Sequence, residues 1–186
     1  MSAQKTHQHR SEVRDGMRID WDVPITMDDG LVVRADVFRP VAGGRYPVIL
    51  SYGPYAKGLA FQDGYPSAWQ RMAEKHPDVT AGSSNLYQSW EVVDPEKWAP
   101  HDYACVRVDS RGAGCSPGVI DHFSPRETKD FYDCIEWPGC SRGRTARWAL
   151  TAFRTTASTS GTWRRCSRRT LPPCASGKAP PTGTAT

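Results

Sequence analysis

Two short runs limit the folds open to this chain. Tyr46-Pro47-Val48-Ile49-Leu50-Ser51-Tyr52 and Tyr103-Ala104-Cys105-Val106-Arg107-Val108-Asp109 are apolar almost throughout, not merely at alternate positions. A strand with one face in water alternates with period two, whereas a strand covered on both faces reads as a near-continuous apolar run of this length. Both runs are therefore expected as central strands of a sheet with layers above and below. Around them, Ile19 to Met27 alternates apolar and polar residues, Asp28-Asp29-Gly30 supplies turn chemistry, and Leu31 to Phe38 resumes with β-branched residues, which predicts a hairpin. Ser67 to Lys75 is expected as a short helix with Ser67 as its N-cap, and Pro77 to Pro100 as an irregular excursion carrying Trp90 and Trp98. Ser124, followed three residues later by Glu127, fits a capping box opening a helix through Trp137. Strand, loop, strand, loop and helix in this order predict the α/β class.

Composition divides the chain in two. All 20 acidic residues and all five histidines lie at or before Trp137, while Pro138 to Thr186 holds nine Arg/Lys, fifteen Ser/Thr and no acid. The net charge is −5 in front of this boundary and +9 behind it. The expected organisation is a disordered polar leader at 1–18, a partial α/β domain at 19–137 and a basic, disordered tail at 138–186. No apolar stretch approaches a membrane span, and Met1 to Arg18 lacks the hydrophobic core of a signal peptide, so the cytoplasm is the expected location and no membrane partner is expected. Cys105, Cys115, Cys134, Cys140, Cys166 and Cys174 contain no Cys-x-x-Cys pair, and His7 and His9 have no third ligand nearby. Free thiols, no metal and no cofactor are the expectation.

Ligands of covered α/β sheets bind beyond the carboxyl ends of the strands, which directs attention to the residues after Tyr52 and after Val108. The first strand is followed by Gly53-Pro54-Tyr55-Ala56-Lys57, a sharp bend that leaves a tyrosine hydroxyl free to face a reacting carbonyl. The second continues into Asp109-Ser110-Arg111-Gly112-Ala113-Gly114-Cys115-Ser116-Pro117-Gly118, where Asp109 and Arg111 can brace a glycine-rich turn by ionic hydrogen bonds. A dinucleotide-binding reading of Gly112, Gly114 and Gly118 fails, because the last interval is one residue too long and Pro117 interrupts the opening helical turn.

Taken together, the hairpin with its Asp-Gly turn, Pro47-Val48-Ile49-Leu50, the Pro54-Tyr55 bend, Asp-x-Arg-Gly-x-Gly-x-Ser-x-Gly and the acidic helix ending in Trp137 resemble the cocaine esterase and X-Pro dipeptidyl-peptidase group of serine hydrolases. The resemblance runs from about Ile19 to Trp137 and implies the front part of an α/β-hydrolase fold. It also implies a small ester, amide or peptide substrate and an acyl-enzyme mechanism. Tyr55 is then the oxyanion donor, and Asp109, Arg111, Gly112 and Gly114 are scaffold. In such a hydrolase the helix leads to a further strand and to the Gly-x-Ser-x-Gly elbow. Here the pattern stops: Gly139 to Thr186 contains no buried strand, no Gly-x-Ser-x-Gly, no Asp and no His. The fold is thus expected to be truncated before the nucleophile elbow, and the chain to be inactive.

The genetic code offers a reason. Each codon of the adjacent frame joins the last base of one codon to the first two of the next. Trp148 and Ala149 then give GGC, glycine, with no freedom, and Leu150 to Thr156 permits Asn-Gly-Ile-Ser-Tyr-Tyr. Gly139 to Ala149 permits Val-Gln-Pro-Trp-Ser-Asn-Gly-Lys-Val-Gly, and Trp163 to Lys178 permits Ala-Ser-Leu-Gln-Pro-Pro-His-Leu-Ala-Ala-Met-Cys-Ile-Trp-Glu. Any one residue is cheap to recover, but a continuous register is not. A one-base frame change at or just before Pro138 is the expectation. Two other readings compete. Arg164, Arg165, Arg168 and Arg169 would bind nucleic acid or acidic surfaces weakly and without specificity, although Arg, Pro, Ala, Gly, Ser and Thr are also what GC-rich DNA yields out of frame. The front domain is alternatively a noncatalytic fold fragment.

Overall fold

The computed structural model describes residues 9–140, the last three by backbone alone. The basic tail from Ser141 onward, with its out-of-frame reading, lies outside the described residues, as do the first eight. Five strands, β1 (Arg10–Arg14), β2 (Met17–Thr26), β3 (Val32–Pro40), β4 (Val48–Gly53) and β5 (Ala104–Asp109), form one sheet in the order β1-β2-β3-β5-β4. Only β4 and β5 run parallel; the other neighbours are antiparallel. The helical segments are α1 (Phe61–Gly64), α2 (Pro66–Lys75), α3 (Pro77–Thr80), α4 (Pro95–Trp98), a 3-10 turn at Ala99–His101, and α5 (Pro125–Cys140).

The apolar runs form two adjacent parallel strands, buried as expected, but among the described residues only β5 is central; β4 lies at the edge of the sheet. All six residues of β5 are buried, as are four of the six in β4. Successive side chains of a strand point to opposite faces, and the buried residues divide accordingly into two clusters. One joins Leu50, Tyr52, Val106 and Val108 to Phe131 and Cys134 of α5. The other gathers Met17, Ile19, Phe38 and Cys105 with Tyr87 from the long excursion. Each buried aliphatic or aromatic side chain contributes about 1.5–3 kcal/mol relative to exposure, so both layers are needed.

Several local expectations require correction. The leader was expected to be disordered, yet Arg10–Arg14 pairs with Met17–Trp21 through a tight turn in which Asp15 and Gly16 both have positive φ (50° and 73°). Asp-Gly is the signature of a two-residue hairpin turn. The alternating charge of β1 hid it, because an edge strand with four exposed residues of five needs no apolar face. Ser67 does not cap α2; Pro66 holds the first helical position and Tyr65 the cap, without a side-chain bond. Proline suits that position because its missing N–H has no partner to lose and its φ is already helical. The excursion from Pro77 to Pro100 contains α3, α4 and the start of the 3-10 turn, with Asp94 capping α4 by accepting from the Glu96 amide at 3.1 Å. The capping box at α5 is altered. Ser124 Oγ accepts from the Glu127 amide at 3.0 Å, but Glu127 reaches back to the amide of Phe123, at 2.8 Å.

The position of α5 follows from charge. Gly53 of β4 stands level with Asp109 of β5, so the two parallel strands end together. The turn between β2 and β3 lies at the same end, since β3 runs against β5 with Ala35 opposite Val108. There Asp130, fully buried, accepts from Arg111 Nε at 2.7 Å and Nη2 at 3.0 Å and is also paired with Arg126. Arg111 and Arg126 reach on to Asp29 and Asp28, at 2.9 and 2.6 Å. The first turns of α5 are thereby fixed to the hairpin tip. Replacing Asp130 by Ala leaves two guanidinium groups without their buried partner and should cost about 3 kcal/mol, read as a lowered urea midpoint. Lys129→Ala, which removes an exposed partner of Asp133 on the same helix, should leave the midpoint unchanged.

Candidate active site

The chain leaves β4 at Gly53 and turns through Pro54, Tyr55 and Ala56, the last with φ +63°. Tyr55 is half-buried and meets the ring of Tyr65 edge-on, centroids 6.4 Å apart at 89°. Beside it a cleft opens at the carboxyl ends of the parallel strands, lined by Ser51, Tyr55, Lys57, Trp90, Glu91 and Arg107 among others. No histidine or cysteine is among the described residues that line it. Burial pushes the Tyr55 phenol above its ordinary pKa, with Glu91 and Tyr65 adding to the effect. The hydroxyl is therefore protonated at neutral pH. It can donate a hydrogen bond to an oxygen acquiring negative charge.

Asp109 organises both loops. Its carboxylate is buried and accepts from the Lys57 amide at 2.6 Å and the Cys115 amide at 2.8 Å, so one side chain holds the Tyr55 loop and the glycine turn together. Burial pushes its pKa upward, and the two amide bonds and the Lys57 charge work against that shift. Gly114 has φ +51°, and a Cβ there would overlap the Asp109 carboxylate; Gly112 has φ +78° and packs on the backbone of Val119 and Ile120. Glycine is required at both positions by conformation and by space. Arg111 lies further along the same turn. Its partners are Asp130 and Asp29, not Asp109, so the two residues expected to brace one turn fasten it to different elements.

Sequence reasoning missed Lys57. Its side chain is 6% exposed, and Nζ lies 2.6 Å from Asp22 and 2.8 Å from Asp36, itself fully buried in β3. Asp22 sits where the register of β2 shifts against β3, with φ +52°. The available signal was Asp36, an acid set between the apolar Ala35 and Val37 of β3, since a buried charge demands a partner. Burial disfavours the Lys57 ammonium, but Asp36 and Asp22 outweigh it and raise its pKa above the ordinary 10.5. Arg107, also buried, donates to the carbonyls of Tyr87 and Val93 and lies over the Phe38 ring, and burial pulls its pKa down to about 10. Among the described residues no cluster of His, Cys, Asp and Glu is arranged to hold a metal, and no helix is long and apolar enough to cross a membrane.

A mixed sheet covered by helices, with a tyrosine bend and a glycine turn at adjoining strand ends, is the front part of an α/β-hydrolase fold. Residues 29–147 match the family model of X-Pro dipeptidyl-peptidase (S15 family). The chain belongs to that family. Two crystal structures of a CocE/NonD family hydrolase from Staphylococcus aureus resemble it, one at 28% identity and TM-score 0.58, covering 72% of this chain and 22% of that one. The other has 25% identity and TM-score 0.61, covering 80% and 27%. The chain thus spans about a quarter of the length of those structures. No curated protein matches it.

Because the Lys57 pKa is higher folded than unfolded, the stability it contributes is present below about pH 10.5 and is lost as pH rises through the folded value. Lys57→Met should cost about 3–5 kcal/mol at pH 8 by leaving Asp36 buried without its cation. The gap between the urea midpoints of the two proteins should narrow above pH 10.5; a constant gap would show that Lys57 is not the titrating group.

Proposed function

We propose that this chain derives from a serine hydrolase acting on ester or amide bonds, small esters or peptides being the substrate class, and that as it stands it is catalytically inert. The observation that carries the reading is the protonated Tyr55 at the mouth of the cleft beyond β4 and β5. In acyl transfer a serine oxygen attacks the carbonyl carbon while a base takes its proton, and the carbonyl oxygen becomes an oxyanion. A donor at the Tyr55 position would stabilise that charge, for a contribution of roughly 3 kcal/mol. Asp109, Arg111, Gly112 and Gly114 serve as scaffold in this reading, holding the Tyr55 bend against the strand ends. No cofactor, specific nucleic acid or membrane enters the chemistry.

Inertness rests on the stretch directly after Trp137, where the strand and the Gly-x-Ser-x-Gly elbow would follow the helix and the sequence carries neither. An oxyanion donor without a nucleophile has no developing charge to meet. The purified 186-residue chain is expected to hydrolyse nitrophenyl esters no faster than buffer and to resist labelling by a serine-directed fluorophosphonate. Turnover abolished by Tyr55→Phe, or labelling of any serine, would overturn the inert reading.

A further inference from the structure

We propose that the nucleophile-bearing strand, whose seat in an α/β-hydrolase fold is the flank of β4 facing away from β5, is encoded in this chain one base out of register across codons 146–154. The serine's catalytic role rests on the hydrolase reading above; the strand assignment does not.

Topology supplies the first constraint. Among the described residues β4 pairs with β5 alone, while β5 is flanked on its other side by β3. A parallel strand entering this sheet beside these two can therefore pair only with β4. Direction supplies the second. The start of α5 is tied to the carboxyl ends of β4 and β5 through Asp130, Arg111 and Arg126, and Phe131 meets Tyr52 near the end of β4, rings 5.6 Å apart. The helix must therefore run back toward the amino ends of the strands, and a strand following it runs parallel to β4. This is the strand, crossover helix, strand unit of covered sheets.

The adjacent frame provides a segment that fits. After Cys140 it permits a polar stretch ending in Ser-Asn-Gly, a turn sequence, and then Lys-Val-Gly. Ala149 and Leu150 permit Val, Leu or Ile; Leu150 and Thr151 permit Asn; and Thr151 to Arg154 permits Gly-Ile-Ser. Thr156 and Ala157 then permit a further glycine. From the Lys to the Asn this is a strand of roughly 17 Å at 3.3 Å per residue, close to the length of β4, which has six residues. Seated beside β4, it would bring the serine to the level of Gly53 and Asp109, at the edge of the cleft that Tyr55 lines. A turn after a strand that exposes serine is the nucleophile elbow. Chance recovery of the glycines and the serine would not also produce a turn and a strand of the right length between α5 and the elbow.

Sequencing the coding DNA from codon 135 to codon 180 tests the register without requiring anything to fold. The expected result is an adjacent frame reading Lys-Val-Gly, one aliphatic residue, then Asn-Gly-Ile-Ser; a stop codon or any other register there overturns the proposal. The seat is tested by correcting the single base and comparing hydrogen exchange in the corrected and present chains. The amides of Val48, Leu50 and Tyr52, which face away from β5, should slow at least about tenfold in the corrected chain, and unchanged exchange there overturns the seat. Slowed exchange in a corrected chain that a fluorophosphonate fails to label would still support the strand assignment, while overturning the hydrolase reading of its serine.

Discussion

The Asp109 carboxylate is the constraint on which the functional end of this molecule depends. It sits where β5 ends, and its two oxygens take up amides from loops that follow different strands, Lys57 after β4 and Cys115 after β5. Its own carbonyl accepts from Ser116 Oγ at 2.7 Å, and that hydroxyl oxygen accepts the amide of Arg34 in β3, at 2.9 Å. One residue thereby ties three strands and two loops. Neither loop has much apolar surface of its own to bury, so fixed hydrogen bonds to an ionised acceptor replace packing as the source of order. The cost is desolvation of the carboxylate, visible in its raised pKa.

The same economy recurs around the Tyr55 bend. Lys57, two residues beyond the tyrosine, is held by its amide to Asp109 and by its ammonium to Asp22 and Asp36. A side chain anchored at both ends leaves the intervening backbone few alternatives. Ala56 accordingly sits in the left-handed region at φ +63°, a conformation that a nonglycine residue keeps only when its surroundings over-determine it. Strain at Ala56 and burial at Lys57 are two aspects of one device, which sets the phenol of Tyr55 against the strand ends.

Much of the sheet was legible in the sequence because it follows from burial alone. Val48 to Leu50 and Ala104 to Val108 announce strands covered on both sides, and Asp28-Asp29-Gly30 announces the hairpin. What could not be read depends on partners, not on the pattern of the segment itself. β1 has no apolar periodicity and exists because β2 offers an edge. The Lys57 cluster joins residues from β2, β3 and a loop, and the acid at Asp36 does not say which cation it meets until folding brings them together. Arg111 illustrates the same limit. Its proximity to Asp109 in sequence suggested a shared turn, whereas folding gives it Asp130 and Asp29, which lie 19 and 82 positions away.

The boundary in composition after Trp137 also makes sense against the fold. The residues by which α5 grips the sheet, Asp130, Phe131 and Cys134, all precede it, and they are the buried ones. The change of frame proposed above, at or just before Pro138, would leave these three residues as they are. The function proposed above would be affected differently, because an oxyanion donor counts only through the difference between transition state and ground state. In the reaction proposed above, Tyr55 held by the same carboxylates and the same strain would accelerate nothing by itself, since the charge it would meet is created by the attack of a serine from a different strand.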